Sequence, residues 1–508
     1  MVLEPEEEEK FSRMSVSSVT TVEDCRHDYG KIIYGEVKDR SLSYLDLRNQ
    51  FFFNDKNEVK NFQIESSNIT YKNLTFYIIS PISGARMMFV TRTDFLRTLF
   101  AQPIPSVKTL TRKAMEEFQS LYGNQPEAIG VAPGNITLFG EFMEFHLGYI
   151  ICMALPMVVV TVGGRNDSVY FSVKTLSKKV EKPNTMKSPL PCVRTLKNEE
   201  RNWVNSIIGC VSEFKGHVPG FNAVITSSLP IKFGFRSCSA LQASIYTFLE
   251  NLTQEYSFDL FEKADRCTKT EHEIQLYPSE LISKCSSIKF FPTFICKEGH
   301  LMFINCKRHK ISQYFFDHPS YVFLLGSCKN NTSTVTIESL DKRLRKCIKA
   351  LEILGRNSLL NADLKHLRCL RKRDASEETI KRVKYVITEH QRTEEAIKAI
   401  KSEDYERLGA LMNQSHVSLR DDYEVSSPQI ETLINLAKKV KGVLGAKMIG
   451  NGLNATIIIL VKITEAENCI RYIRKNYKPK EDKPFFFVTK PSEGAFMMNP
   501  NTDLTIIP

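Results

Sequence analysis

The sequence predicts a protein of mixed helices and strands in two or three domains, on three observations. The chain has 508 residues, 42% of them hydrophobic, which is enough for more than one buried core. Leu241, Ile245, Phe248, Leu249 and Leu252 recur at helical spacing and give one helix an apolar face. Apolar runs such as residues 149–162 are broken by a proline and are shorter than the roughly 20 residues a bilayer demands, so they read as buried strands.

Taken in order, residues 1–28 join a glutamate run to a Ser/Thr cluster with almost no large apolar residues, which predicts a flexible tail. Residues 29–106 carry short apolar runs, at 75–79 and 87–90, around the turn-prone Ser80-Pro-Ile-Ser-Gly, and predict a strand-rich N-terminal addition of unassigned role. Ser106 opens a helical pattern through Phe118, and residues 158–162 and 168–173 read as strands around the turn Gly163-Gly-Arg-Asn-Asp. Trp203, in Arg201-Asn-Trp-Val-Asn, is expected in the core. The helices between 338 and 402 carry Arg368, Arg371, Lys372 and Arg373, which are expected on an exposed face. Ser427-Pro428 ahead of Ile430, Leu433, Ile434, Ala437 and Val440 supplies an N-cap, a proline at the first helical position and an apolar stripe. Residues 455–462 form a strand, and 485–489 with 495–498 read as a closing hairpin around Pro491-Ser-Glu-Gly.

Charge and cysteine usage narrow the function classes. With 69 basic against 58 acidic residues the net charge of +11 is a mild excess, and no basic run is interleaved with aromatics. A solvated surface is expected, with neither nucleic acid nor a membrane as partner. The 13 cysteines are odd in number and lack any CxxC pair, and the opening MVLEPEEEEK is acidic where a signal peptide is basic and then apolar. A reduced, cytoplasmic location is expected.

Five segments carry the functional signal. Residues 132–155, APGNITLFGEFMEFHLGYIICMAL, resemble the sugar-binding segment of the galactokinases, Ala-Pro-Gly-Arg-x-Asn-Leu-x-Gly-Glu-His-x-Asp-Tyr. Ala132, Pro133, Gly134, Leu138, Gly140 and Glu141 match, while Asn135, Phe142 and Glu144 stand at arginine, histidine and aspartate positions. Residues 227–252 are similar to the family's phosphate loop and following helix, Ser-Ser-Val-Pro-Leu-Gly-x-Gly-Leu-Ser-Ser-Ser. Lys297-Glu298-Gly299-His300 resembles Gln-Lys-Gly-His, and counting back from it puts Lys289 at the family's catalytic aspartate. Residues 415–428, SHVSLRDDYEVSSP, match the family at nearly every position, and 442–456, GVLGAKMIGNGLNAT, resemble its second glycine-rich segment. The resemblance spans about residues 111–497.

The resemblance implies an α+β protein with the two-domain fold of the galacto-, homoserine, mevalonate and phosphomevalonate (GHMP) kinases, with domains at 107–313 and 314–508 beside the extra N-terminal strand-rich region. It implies ATP and magnesium as cofactors, and transfer of a phosphoryl group to C1 of a sugar. The chemistry-bearing positions have changed. The catalytic aspartate and its partner arginine become Lys289 and Asn135, and a tyrosine of the sugar site becomes Leu340. In the phosphate loop the positions that would bind the cofactor are Lys232, Gly234, Arg236, Ser237 and Ser239, with Lys232 and Phe233 at glycine-type positions and Arg236 at a serine. A backbone without side chains is what brings amides close to phosphates, so nucleotide affinity is expected to be weak or lost.

Lys232 and Arg236 either bind phosphate by their own charge or point to solvent, and solvent is the preferred expectation. Glu141 and Glu144 are the surviving substrate-binding residues, and Lys289 either has a functional role or props the site by a salt bridge to one of them. No metal site is expected. The chain reads as a catalytically impaired relative, a pseudokinase with a regulatory role that binds a sugar, a nucleotide or an unidentified protein partner. The alternatives are an active ATP-dependent kinase of galactose or a related sugar, and a scaffold without ligand.

Overall fold

The computed structural model describes residues 104–177, 180, 182–192, 203–231, 233–273, 286–328, 337–450, 455–478 and 484–501, with the backbone of six short strands before them. The chain divides into two compact units, 1–101 and 102–508.

In the first unit β1 (Ser12–Met14), β2 (Val19–Val22), β3 (Ile32–Glu36), β4 (Ile64–Ser66), β5 (Thr75–Ile79) and β6 (Met88–Val90) follow in order. β1 pairs β4, and the other four form an antiparallel sheet in the order β2-β3-β5-β6. β1 and β2 lie within the stretch expected to be a tail, and the β-branched run Val19-Thr-Thr-Val suits a strand. The rest of that expected tail, including its glutamate run, is outside the described residues.

The second unit opens with α1 (Val107–Tyr122), capped by the Ser106 hydroxyl, which accepts from the Thr109 N–H. β7 (Ala128–Phe139) and β8 (Tyr149–Arg165) pair antiparallel along nearly their whole length. β9 (Tyr170–Thr175), β10 (Thr185–Pro189), α2 (Trp203–Ser212), β11 (Phe221–Ser227), α3 (Ser237–Thr253), α4 (Leu260–Glu273), α5 (Phe291–Ile295), β12 (His300–Asn305) and β13 (Lys310–Phe315) complete this half. Leu110, Ala114 and Phe118 of α1 pack on Ile129, Val131, Val158, Val160 and Val162. On the other face α3 lies so close that a Cβ on Gly130 would stand 2.4 Å from the Phe248 amide nitrogen. Helices on both faces explain why β7 is buried at every position and does not alternate.

The remaining elements are β14 (Tyr321–Cys328), α6 (Ile337–Leu354), α7 (Leu364–Lys372), α8 (Glu377–Lys401), α9 (Tyr405–Asp421), α10 (Pro428–Ala437), β15 (Val443–Met448), β16 (Ala455–Lys462), α11 (Ala466–Asn476), β17 (Phe485–Thr489) and β18 (Phe496–Met498). Four of them make an antiparallel sheet in the order β15-β16-β14-β17. The fold is α+β.

The expected closing hairpin does not form. β17 pairs β14, whereas β18 crosses to the first sheet and pairs β7. The Pro491–Gly494 turn is held along the way by Gly299 N–H to the Pro491 carbonyl and Gly494 N–H to the Cys296 carbonyl, so each strand meets a different edge. The expected boundary at 313/314 therefore does not assign all strands of the first sheet to the first half. Trp203 is half-buried at the start of α2 and donates its indole N–H to the Pro183 carbonyl at 3.1 Å, a polar bond that holds it at the rim and not in the core. Arg368, Arg371, Lys372 and Arg373 are exposed, as expected, but Arg382 is buried and donates to the Asp422 carbonyl and to Glu424 at 2.6 Å each.

Candidate functional site

The first matched segment turns from β7 through a short 3₁₀ helix, Met143–His146, into β8. Asn135 and Thr137 alternate with Ile136 on β7 and face the same way. Asn135 is buried; its Nδ2 donates to the Lys289 carbonyl at 3.1 Å and to Thr293 Oγ1 at 2.7 Å. Its Oδ1 is buried with no hydrogen-bond partner. Residue 289, placed in the sequence only by counting, thus lies directly against residue 135 in space.

Arg236 does not point to solvent. It takes a left-handed conformation at the N-cap of α3 and its guanidinium donates to Thr137 Oγ1 at 3.0 Å. There it attracts both Glu141 and Glu144. Two carboxylates sharing a low-dielectric pocket draw a long cation inward, against the pull of water. Lys289 attracts Glu144, and its ammonium lies 5.8 Å from the Phe290 ring centroid. Of the two carboxylates offered as its partner, Glu144 is the one that Lys289 acts on most clearly.

Glu141 is buried, and its Oε1 accepts the Gly450 N–H at 2.8 Å, while its carbonyl accepts from Tyr385 Oη at 2.6 Å. Burial raises its carboxyl to about 7, although Lys447, Arg236 and the Gly450 N–H all pull it down. Burial also raises Glu144, against Arg236 and Lys289. Phe142, at the family's histidine position, packs its ring 4.8 Å from Tyr423, which in turn lies 4.4 Å from Tyr385. Burial alone holds the neighbouring His146 down to about 4.

Two further residues of the site, Lys447 and Glu389, are not among the candidate site residues that the sequence offers. Lys447 is fully buried and donates to the Leu138 carbonyl at 2.7 Å. Glu389 is fully buried as well; it accepts from the Gly140 N–H at 3.1 Å, Ser415 Oγ at 2.8 Å and Arg392 Nε at 2.8 Å. Burial works against the Glu389 charge, but Arg392, Lys447 and the Gly140 N–H outweigh it and hold its carboxyl below the usual range. Each carries a signal in the sequence. Glu389 interrupts the apolar stripe of α8, and Lys447 stands at an arginine of the second glycine-rich segment.

The phosphate loop meets that second segment. Gly234 and Gly450 both have φ near +76°, at 75° and 77°, and face each other, a Cβ on Gly234 falling 3.9 Å from the Gly450 Cα. The Phe233 ring stands edge-on to Phe485 at 4.7 Å, and its carbonyl accepts from Thr456 Oγ1 at 2.9 Å. Phe235 is buried against Phe487 at 6.1 Å. Ser239 is buried and Ser237 half-exposed in the first turn of α3; Lys232, Asn451 and Asn454 are outside the described residues. Leu340 is half-exposed on α6.

Comparison with known proteins agrees with this geometry. Residues 116–165 match the galactokinase galactose-binding signature and residues 396–479 match the GHMP kinases C-terminal family. A galactokinase of Homo sapiens is 30% identical over 393 residues, 77% of this chain and 97% of the relative, and one from Bos taurus is 29% identical over 397. Among solved structures, Lactococcus lactis galactokinase complexed with galactose superposes with a TM-score of 0.67 at 21% identity, over 76% of this chain and 98% of that one. Methanococcus jannaschii mevalonate kinase gives 0.51 at 15% identity, over 72% and 99%, which shows the shared fold. The galactose-binding signature match, the fold and the relatives agree, and this chain belongs to the galactokinase family.

Proposed function

We propose that this chain is a binding member of the family that does not transfer phosphate. One observation carries the reading: Lys289 and Asn135 stand where the resemblance places an aspartate and an arginine, and they are in contact. A carboxylate that orients a reacting hydroxyl contributes about 10² to 10⁴ in rate, and a positioned cation about 10² to 10³. Neither an ammonium nor an amide can do the work of the carboxylate at neutral pH. The phosphate loop supports the same reading. ATP, with the magnesium it carries, does not fit this loop in the usual way, because Phe233 and Phe235 hold it against Phe485 and Phe487 and the inward Arg236 does not face out from the start of α3.

The ligand of such a protein is a sugar, since Glu141 and Glu144 remain on the loop that matches the galactose-binding signature. The odd number of cysteines and the lack of any CxxC pair support a reduced, cytoplasmic setting. ADP release measured with magnesium, ATP and galactose tests the proposal; the expected rate is the no-enzyme background. Sustained release would sink it and favour the rival reading, an active sugar kinase. That rival has one observation in its favour, the Glu141 carboxyl poised at about 7, and it requires the release to fall in Glu141→Gln.

A further inference from the structure

β13 ends the first sheet, in the strand order β10-β9-β11-β8-β12-β13, and among the described residues it pairs β12 alone. The pairing fixes which of its backbone groups stay open. Phe316 donates its N–H to the Gly299 carbonyl at 2.7 Å, one step beyond the pair formed by His300 and Phe315. Bonded and non-bonded pairs alternate along an antiparallel ladder, so Tyr314, Ser312 and Lys310 turn their backbone groups to β12. Ile311, Gln313 and Phe315 turn theirs outward, where no described strand receives them.

A free edge is normally blunted by proline, charge or a bulge. β10, at the opposite end of that order, carries Lys187 and ends in Pro189. β13 has neither a proline nor a register shift, and Lys310 is its one charged residue. Phe315 is 63% exposed although its side chain is large and apolar. The two ends of the edge also differ in charge. Lys307, Arg308 and Lys310 are exposed at the β12–β13 turn, with no ion-pair partner among the described residues. At the far end Glu298 and Glu493 are exposed and near each other: partial burial raises the Glu493 carboxyl, and the Glu298 charge raises it further. Asp317 beside them is paired with Lys490. With the exposed Lys297 counted, that end is still net negative.

We propose that β13 is the dimerisation edge of this chain: two copies pair their β13 strands antiparallel about a twofold axis at Gln313 and join their sheets into one. The occupant is a second copy because the edge complements itself. An axis at Gln313 sets Ile311 against the partner's Phe315, both with outward N–H and C=O groups, and covers the exposed ring. It also carries the basic turn of each copy to the acidic end of the other, with Lys310 in reach of the partner's Glu298. A foreign strand could take the backbone bonds, but nothing in this chain specifies the charges at its ends. The proposal is independent of the binding-only reading, since none of these residues lies in the sugar-binding segment or the phosphate loop.

Sedimentation velocity of the full chain between about 1 and 100 µM tests it, and a reversible dimer that weakens with added salt is expected. Ile311→Pro removes an outward donor without touching the β12 ladder, and Phe315→Lys puts charge on the edge. Each substitution enters a twofold interface twice, so each should raise the dissociation constant by at least about tenfold, and either variant serves if the other fails to fold. Lys310→Glu and Glu298→Lys should each weaken the dimer by about tenfold, and the double variant should recover most of that loss, as contact between the two positions requires. A full chain that sediments as a monomer throughout would mean that a foreign strand or nothing takes this edge, and would overturn the proposal. So would a dimer that survives both edge substitutions, or a double charge variant no tighter than the single ones.

Discussion

Glu141 keeps its identity at a matched position, and the fold resets its titration. Its carboxylate is turned to the Gly450 N–H of the opposite segment and is raised by burial from an ordinary 4.5 to about 7. A group whose folded value lies above its unfolded value stabilises the protein below the unfolded value, and that stabilisation is lost as pH rises through the folded one. Glu141 should therefore make stability fall between about pH 4.5 and 7, by an amount on the order of 3 kcal/mol. Glu141→Gln retains an acceptor for Gly450 and removes the titration. Urea unfolding at pH 5 and pH 7 should show a smaller loss in the variant than in the parent; equal losses would mean that Glu141 is not the group responsible. His146, held down to about 4, acts in the opposite sense in both proteins and cancels in the comparison.

At the scale of elements, α9 crosses β15 backbone against backbone. A Cβ on Gly409 would stand 2.5 Å from the Leu444 backbone, and one on Gly445 would stand 2.3 Å from the Gly409 carbonyl oxygen. Backbone cannot yield as a side chain can, so Gly409→Ala should cost about 1 to 3 kcal/mol by overpacking. Gly123, the left-handed cap of α1, meets nothing within 4 Å, and Gly123→Ala should cost only about 1 kcal/mol from its backbone conformation. Denaturant midpoints of the two variants check the ordering, which a loose α9–β15 contact would reverse. Residues 415–428 follow that crossing along α9 and reach the site. Ser415 holds Glu389, Ser418 holds Asp422, and Tyr423 underlies Phe142, so this segment supports the loop from below.

At the scale of the molecule, residues far apart in sequence are joined by buried charge. Lys447 of β15 reaches the Leu138 carbonyl of β7, and Gly140 on the same loop reaches Glu389 of α8. Lys447→Met strands Glu389 and Glu141 with one cation fewer and should destabilise by about 3 to 5 kcal/mol, measured as a lowered urea midpoint. A change under about 1 kcal/mol would mean the network tolerates neutralisation. The larger unit begins near residue 102 and contains all the family matches. A chain of residues 102–508 should therefore fold alone and unfold in a cooperative transition; a truncated chain that stays unfolded would show that the first unit completes its core.

What the sequence determined by itself is local. The Ser427-Pro428 start of α10, the span of β16, the helical run of α1 and the apolar face of α3 depend on side-chain period and on bonds within one turn, and all are legible in the order of residues alone. Ordered matches to a family carried the α+β fold a step further. Tertiary structure alone decided the rest. β17 and β18 are eight residues of strand in one short stretch, yet they join different sheets, because a strand takes whichever edge is open beside it. Arg236 turns inward because carboxylates about a hundred residues before it lie within its reach, and Lys447 and Glu389 are buried because partners from distant segments receive their charge. Electrostatic energy in a desolvated pocket depends on distances between groups, and distances between remote residues are set only when the chain has closed upon itself.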